Sequence, residues 1–366
     1  MQALRFSFRK LERRCLRGCF VLCSPLSVVN FWSPSSRFTA CYASLIGQHP
    51  RPPSSCCPAT AEHDMNNLGI HLRLIGVATS WGATWSWARE IVKTVPPVTG
   101  AALRFLLAGA ALLAWVFAVD RFRSIRALDG RQWLGLTACA AVGVFLYTVL
   151  FMSGMQYIPA GKGAVIITLN PAITLLVAAW LFGEKLNPVI GLGMVLSLSG
   201  AMVAVSHGDI SLLWRGGVGA GEALILGAAL CWSSYTLLSR VVMKGIPPLT
   251  ATAVSAVIGG LALIPAGLMV DGVAGWQAVA GASAYTWYNM LALAFVGTVL
   301  AYAWYFGGVK ALGAGNAAAY IVLVPIFGIG LAAWWLGETV DASLLLGAVL
   351  AVLGLALINV GQRRGR

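Results

Sequence analysis

Arg104 has the clearest capacity for chemistry in this sequence, because it is a cation set inside an apolar run near the start of the segment Gly100–Val119. A charge within a hydrocarbon-length segment is costly and by default marks a site. Arg104 would then attract an anionic group of a small solute or pair with a neighbouring carboxylate. The competing reading is that it snorkels, its stem along apolar surface and its head at the interface. Pro171 and Pro325 interrupt two other apolar runs. A proline removes one backbone hydrogen bond and leaves a carbonyl free to kink the helix or coordinate a ligand. Asn170 adds an amide beside Pro171, whereas its counterpart Val324 is apolar, so a site built there is asymmetric. The other reading of both prolines is a packing kink.

Glu184 and Glu338 each end an apolar run. A carboxylate at a helix C-terminus opposes the macrodipole and calls for a partner such as an Arg, a Lys or a backbone amide. A structural ion pair that fixes a loop is the preferred reading, and a gating role is the alternative. Aromatic residues cluster at Trp81, Trp85 and Trp87, at Trp232 and Tyr235, and at Tyr302, Trp304 and Tyr305. Interfacial belts account for many such residues; Trp81 and Tyr302 are the best candidates to line a cavity. His49, His63, His71 and His207 all fall outside the apolar windows, and no phosphate-binding loop is present. The sequence therefore predicts no catalytic residue, no metal, no cofactor and no ATP-driven step.

The elements that position these residues follow from composition. Of 366 residues, 59% are hydrophobic and 10% charged, against about 25% charged in an average soluble domain. One or two soluble cores could not bury so much apolar surface, whereas a bilayer can. The fold class predicted is an all-α integral membrane protein of ten helices. Their windows centre on 72–88, 100–119, 133–155, 164–182, 189–205, 222–239, 250–270, 285–308, 316–336 and 343–360. With the Met65 end in the cytoplasm, twelve Lys and Arg fall on cytoplasmic segments and four on outside segments (Arg89, Lys93, Lys162 and Arg215). This follows the positive-inside rule and predicts a multi-pass protein of the plasma (inner) membrane with both termini cytoplasmic.

The net charge of +13 is not gathered on one stripe; eight of 25 basic residues precede Met65 and the rest sit mostly in short gaps. Nucleic acid is therefore excluded as a partner, and the partners expected are the bilayer and a small-molecule solute. Whether the chain forms a homodimer is left open. Residues 1–64 differ in composition and hold six of the eight cysteines. A transit peptide, a signal peptide and a start truly at Met65 compete for this segment; the last is preferred, with 1–64 otherwise disordered. The Cys15, Cys19, Cys23 spacing lacks organised His or acidic ligands for a metal.

Sliding the chain against itself reveals a duplication. At an offset of 151, Trp81, Arg89, Lys93, Pro96, Pro97 and Thr99 meet Trp232, Arg240, Lys244, Pro247, Pro248 and Thr250. At an offset of 154, Gly161, Pro171, Trp180, Gly183-Glu184, Gly193 and Gly200 meet Gly315, Pro325, Trp334, Gly337-Glu338, Gly347 and Gly354. A unit of five helices is odd, so the second copy must run through the membrane inverted relative to the first. Inverted repeats of this kind underlie alternating access in secondary transporters.

With Trp81-Gly82, Arg89, Ala102 to Ala108, Pro171 and Leu181 to Glu184, and with Pro325 and Leu336 to Glu338 in matching places, the chain resembles the EamA type of the drug/metabolite transporter superfamily. The resemblance implies ten helices, two EamA domains, and movement of small metabolites without ATP. The domains expected are 1–64 as leader, 68–206 as first repeat and 220–361 as second. One departure stands out, since Ser255 lies opposite Arg104. The function expected is a secondary exporter of amino-acid-like or other small polar solutes. The alternatives are an inward proton- or exchange-driven permease and a non-transporting scaffold or receptor.

Overall fold

The apolar windows fold as helices because a backbone in hydrocarbon must satisfy its N–H and C=O groups within the segment. The computed structural model describes residues 61–184, 186–209, 211 and 219–364. The leader up to residue 60, with its Cys15, Cys19, Cys23 spacing, lies outside the described residues, as do Lys185 and Arg215. Ten long helices follow in chain order. The first five are α1 (Ala61–Ile91), α2 (Pro97–Asp120), α3 (Gly130–Gly154), α4 (Ala160–Phe182) and α5 (Pro188–Val205). The second five are α6 (Ala220–Val242), α7 (Pro248–Val270), α8 (Ala284–Leu312), α9 (Gly315–Leu336) and α10 (Ala342–Arg364). There is no strand among the described residues.

Among the described residues nine of these helices are long and apolar enough to cross a membrane; α1 is long enough but less apolar. It carries His71, Arg73 and three tryptophans, yet buries Leu74, Val77, Ala78, Trp85, Trp87, Ala88 and Ile91 against the bundle. It starts earlier than the window 72–88, so His71, expected outside the apolar spans, lies within it. The helix starts have local causes. Pro97, Pro188 and Pro248 stand in first turns, where no N–H partner is lost. Asp129, Asn187 and Ser283 cap α3, α5 and α8 through their side chains. Glycine ends α4 and α9 at positive φ, 67° at Gly183 and 66° at Gly337, where a Cβ would be strained.

Two equivalent pairings organise the bundle. Helices α2 and α7 occupy the same place in their repeats and pack along each other antiparallel, with Thr99 beside Gly267, Phe105 beside Gly260 and Gly109 beside Val257. The pair α5 and α10 does the same, with Gly193 against Gly354 and Gly200 against Gly347. Equivalent helices running in opposite directions are the direct signature of an inverted repeat. Small residues allow these backbones to touch where lipid gives no hydrophobic drive. Outward sits an apolar surface with exposed Trp180 (82%) and Trp334 (81%), repeat partners at the ends of α4 and α9.

The helices break at repeat-matched places. A π-helical segment occupies Ala141–Leu146 of α3 and Ala292–Leu300 of α8. A 3-10 turn occupies Ile167–Leu169 of α4 and Tyr320–Leu323 of α9, each followed within two residues by the proline. Pro171 and Pro325 thus open the second halves of two-part helices.

Candidate functional site

Arg104 is 8% exposed and does not snorkel. Its guanidinium donates to Thr298 Oγ1 at 3.3 Å, across from α2 to the π segment of α8. Thr298 in turn donates to the Leu293 carbonyl five residues back, at 3.1 Å, the bond pattern of a π turn. The guanidinium lies 4.9 Å from the Phe105 ring centre. Its Nε–H has no acceptor, and no carboxylate pairs with it among the described residues.

Phenols and indoles complete the surroundings. Tyr147 and Tyr302 lie within electrostatic range of Arg104, and Tyr302 within that of Tyr235 and Tyr305. Trp81 meets Tyr302 and Tyr305 at ring distances of 5.9 and 5.3 Å. Trp232, its repeat partner, meets Tyr147 at 5.3 Å and Tyr235 at 5.6 Å. Every one of these six rings is half-buried. Tyr147 stacks on Phe151 as Tyr302 stacks on Phe306, so the two halves present matching walls. Sequence comparison at fixed offset missed Tyr147. Val142-Gly143 matches Val296-Gly297 at 154, but Tyr147 and Phe151 match Tyr302 and Phe306 only at 155. One residue is inserted between them in α8, inside or beside the longer π segment, and that shift is the signal that would have found the pair.

The structure brings Trp81, Arg104 and Tyr302 to one locus. Asn170 and Pro171 occupy another junction, where Ser233 Oγ of α6 donates to the Asn170 carbonyl at 3.2 Å. Asn170 Oδ1 is buried there without a donor. Pro325 is buried at the matching break of α9.

The two carboxylates are not equivalent. Glu338 reaches across the repeats to the start of α4 and accepts from the Ala160 and Gly161 amides at 2.8 and 3.0 Å. Its repeat partner Glu184 instead pairs with Arg240 at 2.6 Å. Arg89, the partner of Arg240, donates to the Met155 carbonyl. The face holding Glu338, here called distal, carries the start of α10 at Ala342 and has further ties. Buried Lys162 of α4 pairs with buried Glu222 of α6 at 2.6 Å and contacts His207 Nε2 at 3.2 Å. His207 Nδ1 lies 3.3 Å from Asp341. Asp341 caps α10 through the Leu344 amide, and that bond with the Ser343 hydroxyl holds its carboxyl below the usual carboxylate range. Thr99 donates twice to Asp271 at 2.7 and 2.8 Å on the same face.

At the opposite, proximal face the positions matching Lys162 and Glu222 are Asn316 and His71. No bond joins them among the described residues; His71 Nδ1 lies 2.5 Å from the Tyr320 hydroxyl, and both positions line a cavity of about 560 Å³ with Tyr320, Leu323, Asn359 and Arg363. In the sequence Lys162 reads only as an outside charge, and nothing in its spacing of sixty residues from Glu222 links the two without the fold.

Comparison with known proteins agrees with this architecture. The profile of the EamA-like transporter family matches residues 68–206 and again 219–360. An uncharacterized transporter, YyaM, of Bacillus subtilis is 26% identical over 79% of this chain and 93% of its own. An uncharacterized transporter of Archaeoglobus fulgidus is 27% identical over 81% of this chain and 100% of its own. A probable amino-acid metabolite efflux pump of Salmonella typhimurium is 28% identical over 78% and 93%. One crystal structure aligns over 81% of this chain and 98% of its own with a TM-score of 0.55 at 21% identity, a likeness of fold.

Proposed function

The chain belongs to the EamA-like transporter family, and from that premise we propose that it is a secondary transporter exporting amino-acid-like or other small polar solutes by alternating access, without ATP. The observation that carries this reading is the unequal latching of two related faces. Glu338 clamps the start of α4 while Glu184, its repeat partner, pairs with Arg240 at the end of α6. One face is closed by Lys162–Glu222 and the other holds a cavity at the matching positions. In a structure built from inverted repeats, exchanging the two arrangements opens the first face and closes the second. Trp81, Arg104 and Tyr302, near the repeat interface, form the solute site; Asn170, Pro171 and Pro325 supply the flexible breaks beside it. With both termini cytoplasmic in the plasma membrane, as the charge balance favours, the cavity opens inward and loads from the cell.

The test is efflux from cells expressing the full chain, loaded with a panel of amino acids, dipeptides and organic cations. An Asn170→Leu/Tyr302→Phe variant matched for membrane level is the control. Faster loss of a solute, abolished in the control, is expected. Faster entry instead of loss would make the protein an inward permease, and no flux in either direction would make it a scaffold.

A further inference from the structure

Arg104 is a cation without a counter-charge. It is more than nine-tenths buried, its one hydrogen bond is to a neutral hydroxyl, and its Nε–H lacks any acceptor. Within the ten helices the acids are Glu62, Asp64, Glu90, Asp120 and Glu222, all at helix ends. Glu90 is held by Lys93, Glu222 by Lys162, and Asp120 by the Ser124 amide. An interior charge left this way is strongly unfavourable unless something else supplies the opposite sign. The π segment of α8 carries Thr298 to it, and Tyr147 and Tyr302, each just after a π segment, lie within its electrostatic range. The missing partner is therefore an anion that comes and goes.

Chemistry narrows the class. One guanidinium balances one negative charge, and its planar edge fits the two oxygens of a carboxylate. A dianionic phosphate would need a second cation, and the one other buried basic residue among the described residues, Lys162, is already bound by Glu222 at the distal face. The phenols of Tyr147 and Tyr302 can donate to the remaining carboxylate lone pairs. Trp81 and Trp232, on the two symmetry-related walls, give a compact apolar body a surface to lie on. We infer that the solute carries a single obligatory carboxylate, bound by Arg104 between the Tyr147 and Tyr302 walls. This rests on the transport reading above and names its substrate class.

The experiment uses the purified full-length chain in detergent and follows its thermal unfolding midpoint with the twenty common L-amino acids, with lactate and benzoate, and with the amide of each acid. An acid that stabilises the protein, with an amide that binds about tenfold more weakly or worse, is expected from the loss of one charge-assisted pair. Arg104→Gln should abolish the preference, Arg104→Lys should keep part of it, and Thr298→Val should leave it in place. Equal binding of acid and amide, binding that survives Arg104→Gln, or no stabilisation by any acid overturns the inference. If Arg104→Gln does not fold, the acid-against-amide comparison on the native chain still decides. Counterflow in vesicles separates the two readings. An acid that binds but shows no counterflow sinks transport and leaves the site. Counterflow of solutes without a carboxylate, unaffected at Arg104→Gln, sinks the site and leaves transport.

Discussion

At the scale of single residues, the groups that matter most are the buried charges. Lys162 and Glu222 satisfy each other, and removing one leaves the other stranded at a cost of about 3–5 kcal/mol. Glu222→Leu should therefore lower the unfolding midpoint of the purified protein sharply. The double change Lys162→Met/Glu222→Leu should recover most of that loss, and a double variant as unstable as the single one would show that the pair has another role. Glu338 differs, because it ties the two repeats and not two charges. Glu338→Gln keeps the shape and removes the charge that strengthens two backbone bonds, which weakens the latch by about 1–3 kcal/mol. A cysteine placed at His207 should then react faster with a membrane-impermeant maleimide from the distal side, by about tenfold or more. Asp341 gives the pH sign. Its folded carboxyl is depressed, so its stabilising contribution is present above the ordinary carboxylate pKa and is lost as pH falls through the lower, folded value. The α10 cap should hold at pH 5 and fail only in stronger acid, which amide exchange at Leu344 would report.

At the scale of elements, the tightest joint is α5 against α10. A Cβ at Gly200 would sit 2.5 Å from the Gly347 carbonyl oxygen and 2.6 Å from the Ala351 nitrogen, both backbone atoms that cannot move aside alone. At Gly191, on the same helix, a Cβ meets nothing within 4 Å. Gly200→Ala should cost about 2–4 kcal/mol or block assembly, while Gly191→Ala should change the unfolding midpoint little. Equal effects would mean that the stripe is not a contact surface. Much of this level was readable beforehand. The offset marks Gly193 and Gly200 as repeat equivalents of Gly347 and Gly354, while the contacts run crosswise, Gly193 with Gly354 and Gly200 with Gly347; the helix count follows from hydropathy. The start of α1 was misread because His71 and Arg73 interrupt the apolar pattern, although packing buries that helix regardless. The π segments left no trace in hydropathy, since an extra residue per turn changes geometry and not composition. For the same reason Tyr147 was invisible, whereas Trp81, Arg104 and Tyr302 were visible as chemical types but not as neighbours.

At the scale of the whole molecule, the proposed exchange of latches has a geometric form. When the proximal face closes, Glu184 should leave Arg240 for the amides at the start of α9, and Glu338 should leave Ala160 and Gly161 for Arg89. Two cysteine pairs report this, Gly161→Cys/Glu338→Cys and Gly315→Cys/Glu184→Cys, in a chain stripped of its eight native cysteines. Each pair should cross-link when present alone. In the four-cysteine chain, cross-linking the first should prevent the second. Simultaneous cross-linking of both pairs in one molecule would end the exchange mechanism. The orientation is a separate matter, checked by a reporter fused after Arg366, which should be active only in the cytoplasm.

The pairing of Lys162 with Glu222 on one face, against Asn316 and His71 on the other, means that the two doors are unequally hung. The door bolted by a buried ion pair is the outer one, in the orientation proposed; at the matching positions its twin has Asn316 and His71, the latter bonded to Tyr320. An idle molecule then rests sealed against the surroundings and open to the cell's own contents, so that it samples solutes from within and leaks few from without. Turned over in the bilayer the same chain would idle the other way round. In the orientation proposed, the twelve-to-four distribution of basic residues is what gives the inequality of its doors a direction.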